Sequence, residues 1–357
     1  MSGGVDSSVA ALLLKKAGYE VFGLFMKNWE EDQETCSSAS DFEDVARVAR
    51  ILDIPYYTLN FCKEYRSQVF SKFLEGYQKG YTPNPDILCN QEIKFNLFLK
   101  KTKELGADFL ATGHYAQKEE KDGLFSLLKG NDPEKDQSYF IYTLNQDILK
   151  SLLFPVGHLK KSQVRQIAHE HSLPTASKKD SVGICFIGKR DFRPFLGKFI
   201  GFTPGSFETP DGKVVGTHEG AAFFTIGQRK GLAIGGKGDA WYVVGKDMPR
   251  NVVYVVQGEN HPSLFAESLV STQLTWVEGK PPSLPHSCMA KIRYRQKDQS
   301  CLIEKIEEGK AFVSFSSPQR AITQQQSIVF FEGQKCLGGG IIQEVGPNFY
   351  EQKKLID

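Results

Sequence analysis

The stretch Ser2-Gly3-Gly4-Val5-Asp6-Ser7-Ser8 runs directly into an apolar helical pattern from Val9 to Lys16, and this junction decides the fold of the first half of the chain. Glycines let a backbone turn tightly, and hydroxyl and backbone N–H groups at the start of a helix bind anions with the help of the helix dipole. The lysine of a Walker A loop is absent. The stretch therefore predicts a phosphate-binding loop, and the alternative is an ordinary helix cap formed by Asp or Ser.

This loop resembles the SGGxDS loop of the PP-loop ATP pyrophosphatase superfamily, whose members split ATP into AMP and pyrophosphate. The resemblance implies that ATP and Mg²⁺ bind here, without a metal site made by side chains alone. The implied ATP contacts are Met1, Ser2, Gly3, Gly4, Val5, Asp6, Ser7 and Ser8. Such loops follow a buried strand, but only Met1 precedes this one. We therefore expect Met1 to be an internal residue and the central strand of the sheet to be missing from this sequence.

Composition sets the broad class. A chain of 357 residues is long enough for two or three domains, and 40% hydrophobic with 24% charged residues is typical of a soluble globular protein. There is no apolar run of membrane-spanning length and no signal-peptide pattern, so we expect a cytoplasmic protein without membrane contact. The net charge of +2 is small, so any nucleic-acid surface must be local.

The first half alternates strand-like and helical patterns, which predicts an α/β domain with a doubly wound parallel sheet. The predicted strands cover residues 20–27, 54–61 and 108–112, and the predicted helices cover residues 41–52, 62–78 and 91–105. Ligands of such sheets bind beyond the carboxyl ends of the strands. Met26 and Gly113 lie at such ends, so we expect their backbone to touch the adenosine of ATP; for Met26 a core position is the alternative.

Beyond about Phe199 short alternating runs rich in Gly and Pro replace this pattern and indicate small β structures. Strand patterns over residues 288–294, 301–306, 310–315 and 327–331 predict a small barrel. We therefore expect a catalytic domain at residues 1–198, a small, mostly-β central domain at residues 199–265 and a C-terminal β-barrel at residues 266–357.

The seven cysteines are scattered and include no C-x-x-C pair, which argues against a disulfide scaffold and a structural zinc site. Cys89 follows a stiff loop and stands near a predicted helix start, where the dipole and Lys94 favour the thiolate. Asp86 is placed to orient a proton, and Asn84 can bond a base edge. Cys185 lies in a segment rich in Gly and Lys, and two distant thiols suit sulfur relay or disulfide exchange. A small buried thiol is the alternative for Cys89, and the other five cysteines are interpreted as structural.

Seven stretches in order resemble the tRNA-specific 2-thiouridylases over essentially the whole chain. They are the loop at Ser2–Ser8, Asn84-Pro85-Asp86 with Cys89, Ala111-Thr112-Gly113-His114-Tyr115, Lys135-Asp136-Gln137-Ser138-Tyr139, Gly183-Ile184-Cys185-Phe186-Ile187-Gly188, Thr225-Ile226-Gly227-Gln228-Arg229-Lys230-Gly231 and Cys336-Leu337-Gly338-Gly339-Gly340.

The resemblance implies an enzyme that converts the wobble uridine of tRNA to 2-thiouridine. Uridine O2 would be adenylated by ATP, and Cys185 would carry a persulfide received from a sulfur-donor protein. Cys89 would either attack that persulfide or assist the transfer, leaving a Cys89–Cys185 disulfide to be reduced. In this scheme Cys89, Cys185 and Asp86 are the catalytic residues.

The resemblance also implies that tRNA, rather than DNA, is the nucleic-acid partner. The implied contacts to the target base are Asn84, Pro85 and Asp86, and those to the rest of the tRNA are His114, Lys135, Asp136, Gln137, Arg293, Tyr294 and Gln326. A family Pro-Gly-Gln turn is replaced here by Gln324-Gln325-Gln326. Without the resemblance, a solvated loop is the alternative for Lys135 and Asp136, and a structural histidine for His114.

Two other functions compete. A PP-loop amidotransferase or ligase that adenylates a small acid would use ATP but leaves Cys89 and Cys185 without a role. A tRNA-binding or thiol-switch module without catalysis is the second, and it is favoured only if the missing strand abolishes the site.

Overall fold

The computed structural model describes residues 1–29, 37–180 and 192–353. Its first part is an α/β unit in which two pairs of parallel strands are flanked by helices. The strands are β1 (Gly23–Lys27), β2 (Tyr56–Asn60), β3 (Leu110–Ala111), β4 (Ala116–Lys121), β5 (Leu124–Lys129) and β6 (Leu152–Leu153). The helices are α1 (Val5–Lys16), α2 (Ser37–Leu52), α3 (Cys62–Tyr65, Arg66–Phe70 and Ser71–Gln78), α4 (Pro85–Leu88, Cys89–Phe98 and Leu99–Glu104), α5 (Gln146–Lys150), α6 (Lys161–Glu170) and α7 (Phe192–Ile200).

Strand β1 pairs with β2, and β3 pairs with β6, both in parallel. Met1 lies against Gly23 of β1, and the start of α1 lies against Gly113, just after β3. The loop and the first turn of α1 therefore lie between the two pairs. Among the residues that the structure describes, no strand joins one pair to the other.

Three helices begin earlier than their sequence patterns suggest. Helix α1 begins at Val5 rather than Val9, and α2 begins at Ser37. Asp41, which the helical pattern of residues 41–52 predicts as the cap of this helix, lies inside α2 instead and accepts a bond from Lys178 at 2.7 Å. Helix α4 begins at Pro85 rather than Gln91, so Cys89 is an internal helical residue.

The second part is a four-stranded sheet of order β8-β7-β10-β9. Its strands are β7 (Gly205–Glu208), β8 (Val214–His218), β9 (Trp241–Asp247) and β10 (Val252–Gln257). An irregular loop, residues 231–240, leads into β9.

The third part is a closed barrel. Its strands are β11 (Phe265–Trp276), β12 (His286–Lys291), β13 (Gln299–Glu307), β14 (Lys310–Arg320), β15 (Ser327–Glu332) and β16 (Lys335–Val345), and pairing of β11 with β16 closes the ring. The predicted fold class, an α/β unit followed by a small β unit and a barrel, is confirmed.

The hairpin β4–β5 of the α/β unit adds to the barrel, because Lys335 and Cys336 of β16 pair with Leu128 and Leu127 of β5. One hydrophobic core runs through all three parts and includes Phe73 of α3, Phe207 of β7 and Phe331 of β15. Within the described residues no helix is long and apolar enough to cross a membrane.

Three consecutive glycines let β16 close the barrel. A side chain at Gly338 would place Cβ 2.0 Å from the Thr275 carbonyl oxygen, and one at Gly339 would place it 2.3 Å from that of Ile328. Gly338 also has φ +138°, which L residues rarely adopt. These glycines are therefore required by the close approach of β16 to its neighbours.

We expect Gly338→Ala to lower the free energy of unfolding by about 2 kcal/mol more than Gly309→Ala, measured by chemical denaturation. Both glycines have positive φ, but a Cβ at Gly309 meets open space, so the control isolates the steric clash from the backbone strain. Equal losses for the two variants would contradict this account of the barrel.

Candidate active site

The loop before α1 leaves the first turn of that helix uncapped by any side chain. Gly4 is the N-cap and makes no side-chain cap bond. The hydroxyls bond within the loop instead: Ser7 Oγ donates to the Gly4 carbonyl at 3.1 Å, and Ser8 Oγ donates to it at 2.9 Å. Because Asp6 and the serines do not cap the helix, its N–H groups face the loop and suit an anion.

Close backbone contacts hold this loop in place. Gly3 has φ +73°, and a Cβ there would lie 2.5 Å from the Asp41 carbonyl oxygen. A Cβ at Gly113 would lie 2.8 Å from the Ser7 backbone nitrogen. Gly113 is therefore glycine because the residues after β3 touch the first turn of α1. The Met26 side chain is in the core at the end of β1, and contact of its backbone with adenosine stays a prediction.

Asp6 is fixed by two partners that the sequence did not point to. Tyr115 donates its hydroxyl to Asp6 Oδ1 at 2.7 Å, and Lys161 Nζ lies 2.7 and 2.8 Å from the two carboxylate oxygens. Burial and the nearby Asp6 carboxylate raise the pKa of Tyr115. Lys161 follows another lysine at the start of α6, and a lysine in that position gives no signal beyond an ordinary helix terminus.

Asp180 extends this group into an ion-pair network. Lys161 and Arg165 each lie 2.8 Å from Asp180 Oδ1, and Lys135 lies 2.8 Å from Oδ2. Burial opposes ionisation of this carboxyl, but hydrogen bonds from Lys135 and Lys161 and their charges lower the pKa of Asp180 to about 2. We call Asp6, Lys161, Asp180, Lys135 and Arg165 the ion-pair network. It joins the loop to α6 and to residue 135.

A separate cavity of about 290 Å³ lies beside the start of α4. It is lined by Phe73, Tyr77, Pro83, Asn84, Pro85, Asp86, Phe192 and Gln326. Four of these residues were predicted from the sequence, and they come from opposite ends of the chain. The aromatic walls were missed, since Phe73 and Tyr77 are spaced like ordinary core residues of a helix.

Local bonds shape this cavity. The Asn84 side-chain oxygen accepts bonds from the Asp86 and Ile87 backbone N–H groups at 3.1 and 3.3 Å, which caps α4 with Pro85 at its first position. Gln326 donates its side-chain amide to the Thr82 carbonyl. This bond brings Gln326, the residue before β15 of the barrel, into the wall of the cavity.

Cys89 lies one helical turn beyond Asp86 and is fully buried. It opens a π-helical segment, Cys89–Phe98, a rare local form that is frequent at functional sites. Asn28, at the end of β1, lies 4.0 Å from the sulfur through Nδ2. Cys185 and Cys36 lie outside the described residues.

Several predicted RNA contacts have partners within the protein. Asp136 is 4% exposed; its Oδ1 accepts from the Gly130 and Ser138 N–H groups at 3.1 Å, and Lys291 lies 3.4 Å from Oδ2. Gln137 accepts from the Tyr115 N–H at 3.0 Å. These two side chains thus shape the turn after β5, and their contact with RNA stays a prediction.

His114 is also enclosed. Its Nδ1 lies 2.9 Å from the Thr112 hydroxyl, and burial, then the charge of Lys94, holds the pKa of His114 well below its usual value. The ring is therefore neutral at physiological pH, and any RNA contact it makes is a hydrogen bond rather than an ion pair.

On the barrel, Arg293 and Tyr294 occupy different environments. Arg293 is half-buried and donates from Nη2 to the Ile226 and Ala321 carbonyls at 2.9 and 2.7 Å, so it ties the middle sheet to the barrel. The Tyr294 ring lies 4.4 Å from that of Phe140 and carries the Arg295 guanidinium at 5.4 Å. This aromatic and cationic group suits base stacking.

Three of the four other described cysteines lie in the barrel. Cys288 and Cys301 face each other across β12 and β13, with their sulfurs 3.6 Å apart. Burial raises the pKa of Cys336 to about 12. In the described ranges, no group of three or more His, Cys, Asp or Glu side chains could hold a metal ion.

Comparisons with known proteins cover the whole chain. Residues 1–189 match the family model described as the tRNA methyl transferase HUP domain, residues 193–257 match its PRC-barrel domain, and residues 266–342 match an aminomethyltransferase β-barrel domain. The tRNA-specific 2-thiouridylase MnmA of Protochlamydia amoebophila is 61% identical over 100% of this chain and 95% of its own. The enzymes of the same name from Nitrosomonas eutropha and Shouchella clausii are 56% and 52% identical, over 96% and 97% of this chain and 97% and 95% of theirs.

We expect Asp180→Asn to lower the thermal unfolding midpoint at neutral pH by a few degrees, because three cations lose their shared carboxylate. With a folded pKa of about 2 against an ordinary 3.8, Asp180 stabilises the fold fully above about pH 4, and this contribution is lost as the pH falls towards 2. The difference in unfolding midpoint between wild type and Asp180→Asn should therefore be constant between about pH 7 and 5 and should shrink below about pH 4.

Glu304→Gln is the matched control for this titration. Glu304 is an exposed acid on β13 with no ion pair in the described chain. If the difference in unfolding midpoint between wild type and Asp180→Asn stays constant down to pH 3, the network does not depress the pKa of Asp180.

Proposed function

Because the chain belongs to the tRNA-specific 2-thiouridylase family, we propose that it is an ATP-dependent transferase that thiolates the wobble uridine of tRNA at C2. The observation that carries this proposal is the cavity where Asn84, Pro85, Asp86 and Gln326 meet, one helical turn from Cys89. Its aromatic walls suit a flipped pyrimidine, since single-stranded bases are bound by stacking and edge contacts. The methyl-transfer wording of the domain descriptions does not agree with the relatives' names, and whole-chain identity of 61% favours thiolation.

We place ATP at the uncapped start of α1. The HUP domain that the chain matches implies ATP use. The loop from Ser2 to Ser8 offers backbone N–H groups to the phosphates, and Gly113 leaves room for the backbone to approach. Mg²⁺ would arrive with the phosphates, since the described residues provide no metal cluster of their own. The Lys161 ammonium sets the charge beside this site by neutralising Asp6.

The proposed chemistry runs in two stages. Uridine O2 attacks the α-phosphorus of ATP and pyrophosphate leaves, so O2 becomes part of a good leaving group. Sulfur then attacks C2 of the base, and AMP leaves with O2. Asp86 lines the cavity at the start of α4 and would orient a proton during these steps.

The sulfur would come from a persulfide on Cys185, loaded by a sulfur-donor protein. If Cys89 attacks the Cys185 sulfur as a thiolate, the terminal sulfur is released with its electron pair, and a Cys89–Cys185 disulfide forms. An external thiol must then reduce that disulfide. Alternatively, Cys89 assists direct transfer of the terminal sulfur.

The chain would have three domains: a catalytic domain at residues 1–198, a small central domain at residues 199–265 and a tRNA-contacting barrel at residues 266–357. The exposed face near Tyr294 and Arg295 would stack or pair with the RNA, and His114, Lys135, Asp136, Gln137 and Arg293 would support that contact. We expect the enzyme to act in the cytoplasm, where tRNA and ATP are available. An adenylating ligase is the alternative for the ATP site, and a tRNA-binding or thiol-switch module without catalysis is the second.

We expect 2-thiouridine to form when the protein is incubated with unmodified tRNA, ATP, Mg²⁺ and a sulfide or persulfide source, measured by nucleoside mass spectrometry. Cys89→Ser and Cys185→Ser should abolish the product or lower it at least tenfold with a persulfide donor, whereas Cys62→Ser should leave it unchanged. Pyrophosphate release with a small acid but not with tRNA would favour the ligase. tRNA binding without either product would favour the binding module.

We expect Lys161→Met to raise the KM for ATP about tenfold, equal to about 1.4 kcal/mol, because Asp6 would keep a bare negative charge beside the phosphates. Lys161→Arg should restore most of the affinity. Lys160→Met, which removes the neighbouring exposed cation, is the matched control. An unchanged KM for ATP in Lys161→Met would contradict the placement of ATP at the start of α1.

A further inference from the structure

A second cavity, of about 310 Å³, lies in the middle sheet, outside the site described above. It is formed by the loop before β9 and lined by Arg229, Gly231, Leu232, Ala233, Ile234, Gly236, Gly238, Asp239, Ala240 and Trp241. One aromatic ring, four aliphatic side chains, one guanidinium and one carboxylate therefore line a space the size of a small ligand.

The loop is irregular, but the protein fastens it along its length. Arg193 donates to the Gly231 carbonyl at 2.8 Å, Gln257 donates to the Lys237 carbonyl at 3.0 Å, and the Gly258 N–H donates to the Ala240 carbonyl at 3.0 Å. Gly231, Gly236 and Gly238 all have positive φ, as does Ala233 at 55°. The wall is thus held in an unusual backbone shape by bonds from outside the loop, as expected of a preformed site.

The charge of the loop is mainly positive. Between residues 229 and 241 the cations are Arg229, Lys230 and Lys237, and the single carboxylate is Asp239. Arg229 is exposed and makes no hydrogen bond or ion pair within the part of the chain that the structure covers. A free guanidinium beside an aromatic face is the combination that binds a phosphate together with a stacked base.

The turn before this loop, which carries Arg229, also contacts the residues around the cavity of Asn84 and Gln326. Thr225 and Thr82 share a hydroxyl–hydroxyl bond of 3.3 Å, and Thr82 is the residue that Gln326 also contacts. Arg229 follows Thr225 by four residues, so their Cα atoms are at most roughly 14 Å apart. A polynucleotide with one base in the first cavity therefore has neighbouring nucleotides within reach of the second.

We propose that the cavity at Arg229 and Trp241 binds a second, unpaired nucleotide of the RNA substrate, its base against Trp241 and its phosphate paired with Arg229. Asp239 would accept from an amino or imino N–H group of that base. The inference rests on the proposed function and adds a recognition site for the same RNA: the enzyme would read a nucleotide near the target uridine as well as the uridine itself.

The test uses the full-length protein and a stem–loop RNA that carries the target uridine in its loop. Fluorescence anisotropy over a series of salt concentrations gives its Kd for wild type, Trp241→Ala, Trp241→Phe and Arg229→Gln, with Lys280→Gln as the exposed-cation control, and affinities are compared at one shared concentration. We expect Trp241→Ala to weaken binding roughly tenfold and Trp241→Phe to weaken it less. Arg229→Gln should lower the slope of log Kd against log salt by about one, and the control should not change it.

A set of the same RNA with one loop base removed at a time identifies the bound nucleotide. One abasic position should weaken binding to wild type but not further to Trp241→Ala, while the other positions should weaken both proteins equally. The inference is overturned if Arg229→Gln and both Trp241 variants bind the RNA as tightly as wild type does. It is also overturned if, at every loop position, the loss from removing the base simply adds to the loss from the Trp241 substitution. Should Trp241→Ala fail to fold, Trp241→Phe and Arg229→Gln carry the test.

The same samples separate this inference from the function on which it rests. If wild type binds and thiolates the RNA but the variants match it, only the second nucleotide site is wrong. If wild type neither binds nor thiolates the RNA, the proposed function fails and the inference falls with it. The inference would also be overturned if the variants bound free AMP or GMP more weakly than wild type does but bound the RNA equally well.

Discussion

The pairing of Asp6 with Lys161 is the interaction on which the arrangement of the α/β unit depends. Asp6 lies in the first turn of α1, where its negative charge interacts favourably with the helix dipole but would repel an anionic ligand. Lys161 neutralises that charge from the start of α6 and also holds Asp180, which in turn gathers Lys135 and Arg165. The loop, two helices and the turn after β5 are therefore fixed by one network of two carboxylates and three cations.

The barrel is part of the site rather than an appendage. Strand β16 pairs with β5, and Lys291 of β12 reaches the buried Asp136, so the barrel is joined to the α/β unit through both backbone and charge. Lys129 and Lys291 lie over the Phe331 ring, 4.4 and 5.4 Å from its centre, at that junction. This packing brings Gln326 to Thr82 and completes the cavity beside α4. A change far along the barrel can therefore alter the pocket proposed for the target base.

The middle sheet connects these two units. Arg293 of the barrel bonds to Ile226, Thr225 bonds to Thr82, and both contacts fall in one short turn that also carries Arg229. Gly227 has φ +81°, and a Cβ there would lie 2.6 Å from that of Ala321, so the turn fits closely against the barrel. The Thr225–Gly231 stretch is thus a structural junction whose exposed tip is available to a ligand.

The sequence by itself determined the fold class and the family, because periodicity, turn residues and ordered motifs are local properties. It also predicted a role in the site for the loop at Ser2–Ser8, for the Asn84-Pro85-Asp86 stretch and for Cys89, and these roles stay predictions. Only the tertiary structure decided that Asp6 is bound by Tyr115 and Lys161, that Asp136 is buried against Lys291, and that Phe73 and Tyr77 wall the cavity with Gln326. The physical reason is that ion pairs and burial depend on residues far apart in the chain, and a lysine or aromatic residue has the same local pattern whether or not a distant partner faces it.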